Sequence, residues 1–149
     1  MRDLAIIEDL LEAAMHLLSQ TQAGVAIWLF LEVLGIQISW ADLPDGILAG
    51  FVSWDIGIFL DNGAKSLPAA VIAVWLAHEG THAMWSQCNS IDQEYHCFET
   101  QTQVWIELKD GYTDDVLDYL VELFTQGEEA VKDVLRGTEG YTDLPEYCP

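Results

Sequence analysis

The chain has 149 residues, 51% of them hydrophobic and 11% aromatic, enough for one globular domain with its own core. Five Lys and Arg stand against 25 Asp and Glu, a formal charge of −20, and a field of that sign argues against nucleic acid and anionic membrane as partners. With only 20% charged residues, the chain is too apolar to be a disordered acidic segment.

Taken in order, residues 3–19 set Leu4, Ile7, Leu11, Met15 and Leu18 at helical spacing, with Asp9 and Glu12 off that face and His16 solvated. Acids inside this apolar pattern make it unlike a secretory signal. A second helix, residues 22–34, is apolar nearly all round, the mark of a buried element, and Gly35 stops it. Residues 36–40 alternate like a half-buried strand. Residues 47–53 and 56–60 read as two more strands about a Trp54–Asp55 turn, so a small antiparallel sheet is expected over 36–62. Ser66 is placed to cap the next helix, with Pro68 in its first turn. A further helix is expected over 91–110, and a last one from Thr113 as N-cap to Arg136, with Gly127 as the point where it breaks or kinks. The tail to Pro149 reads as irregular.

No linker or repeat interrupts this series. The predicted fold is a mostly helical α+β single domain over 1–149: N-terminal helices (1–35), a small sheet (36–62), two central helices (66–110), then a closing helix and tail (113–149). The longest apolar runs fall short of the ~20 residues a membrane span needs. Three cysteines (Cys88, Cys97 and Cys148), an odd number without CxxC spacing, argue for a reducing compartment. A soluble, cytoplasmic protein is the expectation.

The chemistry concentrates in the helix from Val71 to Trp85, which carries His78-Glu79-Gly80-Thr81-His82. Histidines one helical turn apart project from one face and can hold a zinc ion. Glu79, about 100° around the helix from His78, is free of the metal yet placed to take the proton of a water the zinc has acidified. Val71, Val74, Trp75, His82 and Trp85 all fall within about 60° of His78 on a helical wheel. The histidines therefore lie on the most buried stripe, where polar groups need partners. Core histidines bonded to backbone or carboxylates are the plainer alternative.

Two histidines leave a zinc incompletely held. The helix after the motif offers Asp92, Glu94, His96, Cys97 and Glu99. Its apolar face (Ile91, Tyr95, Phe98, Trp105, Leu108) centres within about 40° of Glu94, whereas Glu99 lies about 100° from that centre and Asp92 and His96 point largely away. Glu94 is the expected third ligand, and Glu99 the fallback.

His78-Glu79-Gly80-Thr81-His82 followed by Glu94 on a second helix resembles the gluzincin zinc peptidases, the thermolysin-like superfamily. The short chain, with a small sheet before the motif helix, is most similar to the single-domain minigluzincins. The resemblance covers about residues 50–108. It implies Zn²⁺ on His78, His82 and Glu94, Glu79 as general base and acid, and a sheet over 48–60 whose edge binds extended peptide by β-addition. Gluzincins often carry a carboxylate four residues after the Glu ligand to orient a histidine; here that position is Phe98, so the support is sought in Glu99 or Asp92.

The group also contains latent forms in which a terminal segment covers the cleft. That makes residues 141–149 a candidate plug, with a Cys148 thiolate closing the fourth position; a loose tail with an inert thiol is the alternative. Cys88 and Cys97 are expected as plain thiols, with a bridge between them as the alternative. Tyr141 and Tyr147 are both candidate oxyanion donors. The expected function is a zinc-dependent metallopeptidase acting on a peptide or protein substrate. The alternatives are a zinc-binding, non-catalytic peptide-interaction or regulatory module, and an acidic scaffold without metal. A homodimer is compatible with the apolar content.

Overall fold

The computed structural model describes residues 2–52, 57–85 and 88–149, and in the first helix the side chains from Leu10 onward. Helix α1, Arg2–Ser19, buries Ala14 and Leu18 and leaves His16 exposed, in contact with Gln20. The hydroxyl of Thr21 donates to the Leu18 carbonyl and accepts from the Gly24 amide, both at 2.9 Å. That turn delays α2, so it runs Val25–Leu34 rather than starting at residue 22. It ends on Gly35 at φ 61, a left-handed position that favours glycine. The expectation that α2 is buried all round fails. Ile27 and Leu31 are buried, while Leu29 and Val33 are 53% and 73% exposed. A helix packed against α1 and α3 on one side has its other side left over, and composition alone does not reveal that.

Three strands follow: β1 (Gln37–Ala41), β2 (Ala49–Val52) and β3 (Gly57–Asp61), in the order β1-β3-β2. β2 and β3 pair antiparallel, but β1 and β3 run parallel, so the sheet is mixed rather than antiparallel as expected. Residues 42–48 carry the chain past the slot that β3 later fills, and β3 then returns in the direction of β1. Alternation of apolar residues sets which face is buried and is silent on strand direction. The expected Trp54–Asp55 turn lies outside the described residues.

The Asp61 carboxylate accepts from Leu43 and Gly63 amides at 2.9 Å, tying the end of β3 to a short 3₁₀ turn, Asn62–Ser66. Helix α3, Ala69–Trp85, then starts with the Pro68 carbonyl accepting from Val71 and Ile72. Ser66 is not its cap; the hydroxyl donates weakly to the Gly63 carbonyl instead. From Ala70 to Ala83 α3 is buried almost without interruption, because α1, α2 and the sheet cover one side and α4 the other. A Cβ at Gly80 would lie 2.4 Å from Ile27 Cγ2, so this glycine is what lets α3 and α2 touch.

Helix α4, Ile91–Leu108, is capped by Ser90, whose hydroxyl accepts from the Gln93 amide at 3.0 Å. The single closing helix expected from Thr113 is two helices, α5 (Asp115–Phe124) and α6 (Glu128–Arg136), divided at Gly127 with φ 103. Asp114, not Thr113, caps α5 by accepting from Val116 and Leu117. A large apolar cluster joins α1, α2, the sheet and α3; a smaller one joins α4, α5, α6 and the tail through Tyr95, Leu120, Leu123, Val131 and Leu144. The α3–α4 pair stands between them.

Cys88 and Cys148 form a disulfide, and Cys97 is a buried free thiol. The tail is therefore neither loose nor a source of a free Cys148 thiolate, and Cys88 does not pair with Cys97. The bridge also removes the unpaired-cysteine argument for a reducing compartment. Among the described residues, no helix is long and apolar enough to cross a membrane.

Candidate metal centre

The facing sides of α3 and α4 bring four side chains together. His78 and His82 come from α3, and Glu94 and Cys97, one turn apart, from α4; their ligand atoms all lie within 4.8 Å of one another. His82 Nε2 is 2.5 Å and His78 Nε2 3.6 Å from the same Glu94 oxygen. Glu79 Oε1 stands 3.9 Å from His78 Nε2. The three expected ligands thus converge, with Glu79 beside them. Glu99 lies apart: it accepts from the Tyr95 hydroxyl at 3.2 Å and sits beside His96. Asp92 accepts from Lys132 at 3.1 Å. Neither carboxylate reaches the motif histidines, so the support expected from them is absent.

Two glutamines of α4 supply it. Gln93 Oε1 lies 2.7 Å from His82 Nδ1, and Gln101 Oε1 2.7 Å from His78 Nδ1. An amide oxygen only accepts, so each Nδ1 carries the proton and each Nε2 turns a lone pair to the centre. The orientation of Gln93 is fixed independently, because its NH₂ donates to the Cys88 carbonyl at 2.8 Å. The amide nitrogen of Gln101 is buried without a partner among the described residues. One amide is locked at both ends, the other at one.

A positive group fits this arrangement. A histidine lone pair and a carboxylate oxygen at 2.5 Å repel unless a proton or a cation lies between them, and Glu94 Oε2 is buried with no hydrogen-bond partner among the described residues. Without metal the proton plays that part. Burial opposes a charged His82, yet hydrogen bonding to Cys97 and Glu94 pushes it up to about 11. Burial likewise opposes the charged form of Glu94, but its hydrogen bonds to His78 and His82 hold it well below the usual carboxylate range. A metal entering here displaces a proton. Burial pushes the Glu79 carboxyl up, partly offset by the two histidines.

Phe98 packs edge-on to His78, with ring centroids 4.6 Å apart, and Tyr141 of the tail stands 6.2 Å from Phe98. Burial, and then the charge of Glu94, raise the Tyr141 phenol well above its ordinary value. Tyr147 is 65% exposed with Lys132 over its ring, so of the two tyrosines only Tyr141 borders the centre. The side chains of His78, Glu79 and Glu94 are each less than a tenth exposed.

Gln93, Cys97 and Gln101 were not among the residues expected to build the site. Gln101, at i+7 from Glu94, falls beside it on the wheel, within about 60° of the face centre, and that spacing is the signal that finds it; Cys97, at i+3, falls about 100° from the centre, as far as Glu99, so the wheel does not select it. Gln93 carries no such signal, since its role depends on the loop that presents the Cys88 carbonyl. His78, His82, Glu94 and Cys97 together could hold a metal ion. Comparison of the chain with known protein families, curated proteins and solved structures finds no significant match, so the gluzincin resemblance rests on these residues alone.

Proposed function

We propose that the protein is a zinc-dependent metallopeptidase of gluzincin type, with His78, His82 and Glu94 as zinc ligands and Glu79 as general base. The observation that carries this reading is the convergence of both Nε2 atoms on one Glu94 oxygen with Glu79 alongside. Bound zinc supplies Lewis acidity toward a peptide carbonyl and toward water. Structural zinc has no need of Glu79. In hydrolysis that carboxylate takes a proton from water and passes it to the leaving amine, and burial tunes it toward that use. The Tyr141 hydroxyl is the nearest candidate to donate to a developing oxyanion. Gln101 and Gln93 hold the histidines in the tautomer that binds metal. The burial of His78, Glu79 and Glu94, with Tyr141 of the tail beside Phe98, supports a latent form in which movement of the tail admits a peptide.

The second reading is a zinc-binding regulatory module without turnover, and Cys97 favours it. Its sulfur lies in the ligand group, and four protein ligands make a closed site of structural type. Cobalt substitution separates the two, because thiolate ligation by Cys97 adds an intense charge-transfer band that a Cys97→Ser protein lacks. For the peptidase reading, Glu79→Gln keeps its zinc and loses cleavage of a peptide library that the wild type cuts. Equal cleavage by the two proteins, or none by either after the tail is released, contradicts it.

A further inference from the structure

The Cys88–Cys148 bridge does more than close a long loop. The Cys88 carbonyl accepts the Gln93 NH₂ at 2.8 Å, and the other end of that amide accepts from His82 Nδ1 at 2.7 Å. From the far side of the bridge, the tail caps α4. The first N–H groups of a helix have no partner within it. Here the amides of Ile91 and Asp92 donate to the carbonyls of Pro145 and Glu146 at 2.9 and 3.0 Å. Only the third, that of Gln93, is satisfied by the Ser90 hydroxyl. The turn that carries Gln93 and Glu94 is thus held from outside by the segment the disulfide anchors. Arg136 adds a two-pronged contact to Glu146.

We propose that the Cys88–Cys148 disulfide sets the metal affinity of the centre, with Gln93 as the positioning residue that transmits its state to His82. The proposal rests on the metal-centre reading and adds a regulator to it. A dithiol reductant transfers two electrons and two protons to the bridge, yielding the Cys88 and Cys148 thiols and leaving as its own disulfide. The tail carbonyls then leave the amides of Ile91 and Asp92, and the Cys88 carbonyl is no longer tied to the tail. Gln93 loses the fixed acceptor of its NH₂, and His82 loses the acceptor that orients it. The loss of one such oriented partner costs about 10–100-fold in metal affinity. Cys97 is already a thiol and does not change.

The experiment is zinc affinity measured by competition with a chromogenic chelator, on oxidised wild type and on wild type reduced with a trialkylphosphine. The phosphine becomes its oxide with oxygen from water and does not hold zinc as a dithiol would. Two variants accompany it. A Cys88→Ser/Cys148→Ser protein lacks the bridge without gaining thiols that could bind zinc. Gln93→Glu keeps an acceptor for His82 but has no donor for the Cys88 carbonyl. Reduction is expected to weaken zinc about 10–100-fold in the wild type. The double serine protein should match the reduced wild type, and Gln93→Glu should be nearly insensitive to reduction. Equal affinity in the oxidised and reduced wild type overturns the link while leaving the metal centre standing. Reduction that weakens Gln93→Glu as much as the wild type shows a general staple and overturns the role of Gln93. Zinc bound in neither state sinks the metal-centre reading, and this proposal with it.

Discussion

Gln101 shows how a neutral side chain orients a histidine of a candidate metal centre where, among the described residues, no carboxylate stands behind it. Its oxygen fixes the His78 tautomer at 2.7 Å, while its own NH₂ is left buried and unpaired. Gln101→Ala should lower zinc affinity about 10–100-fold and leave the fold intact, read by chelator competition; unchanged affinity would contradict the orienting role. Away from the centre, Asp118 accepts from Trp105 Nε1 at 2.9 Å and from the Asp114 amide at 3.1 Å, and these bonds, Trp105 first, lower its pKa. A carboxyl lowered in the folded state contributes stability above its unfolded pKa and loses it as pH falls through the folded value. Asp118→Asn should therefore flatten the fall in Tm below about pH 4, with an unchanged acid limb as the contrary result. Of the candidate site, His78, His82 and Glu94 are legible in sequence because helical spacing places them on buried faces, and Glu79 because it adjoins His78 in the motif. Gln93 is not, because the group that fixes it is a backbone carbonyl.

Among the elements, the contact of α3 with α2 is the tightest point near the motif. The atom a Gly80 side chain would meet is Cγ2 of Ile27, a β-branched methyl that cannot swing aside. Gly80→Ala should cost about 1–3 kcal/mol through overpacking, more than the ~1 kcal/mol that alanine offers a helix. The expected result is a lower Tm, and a raised Tm would show that the two helices part easily. The end of α2 is readable because Gly35 adopts the left-handed backbone that ends a helix, and the break between α5 and α6 because Gly127, at φ 103, takes a backbone other residues avoid. The parallel pairing of β1 with β3 was not, since it depends on where residues 42–48 lead the chain. Nor was the half-exposure of α2, since that is set by which elements happen to cover it.

For the whole molecule, a metal bound at this centre would be linked to the fold, because the two histidines, Glu94 and Cys97 come together only when α3 packs on α4. Zinc that binds this folded site should raise Tm, by about 2.7 kcal/mol of stability at a free concentration one hundred times its Kd. A chelator should reverse it. The affinity should fall as pH falls, since a proton and the metal compete for His82 Nε2. The α+β architecture followed from the order of periodic segments. The disulfide did not, since three cysteines without a recognisable spacing do not reveal which two the fold will bring together.

The central claim is that His78, His82 and Glu94 hold one zinc ion. Elemental analysis after reconstitution and gel filtration, on wild type, Glu94→Ala and Glu99→Ala proteins prepared alike, tests it most directly. The account predicts one zinc per chain in the wild type and in Glu99→Ala, and little or none in Glu94→Ala. Wild-type protein that emerges folded and without zinc would contradict it.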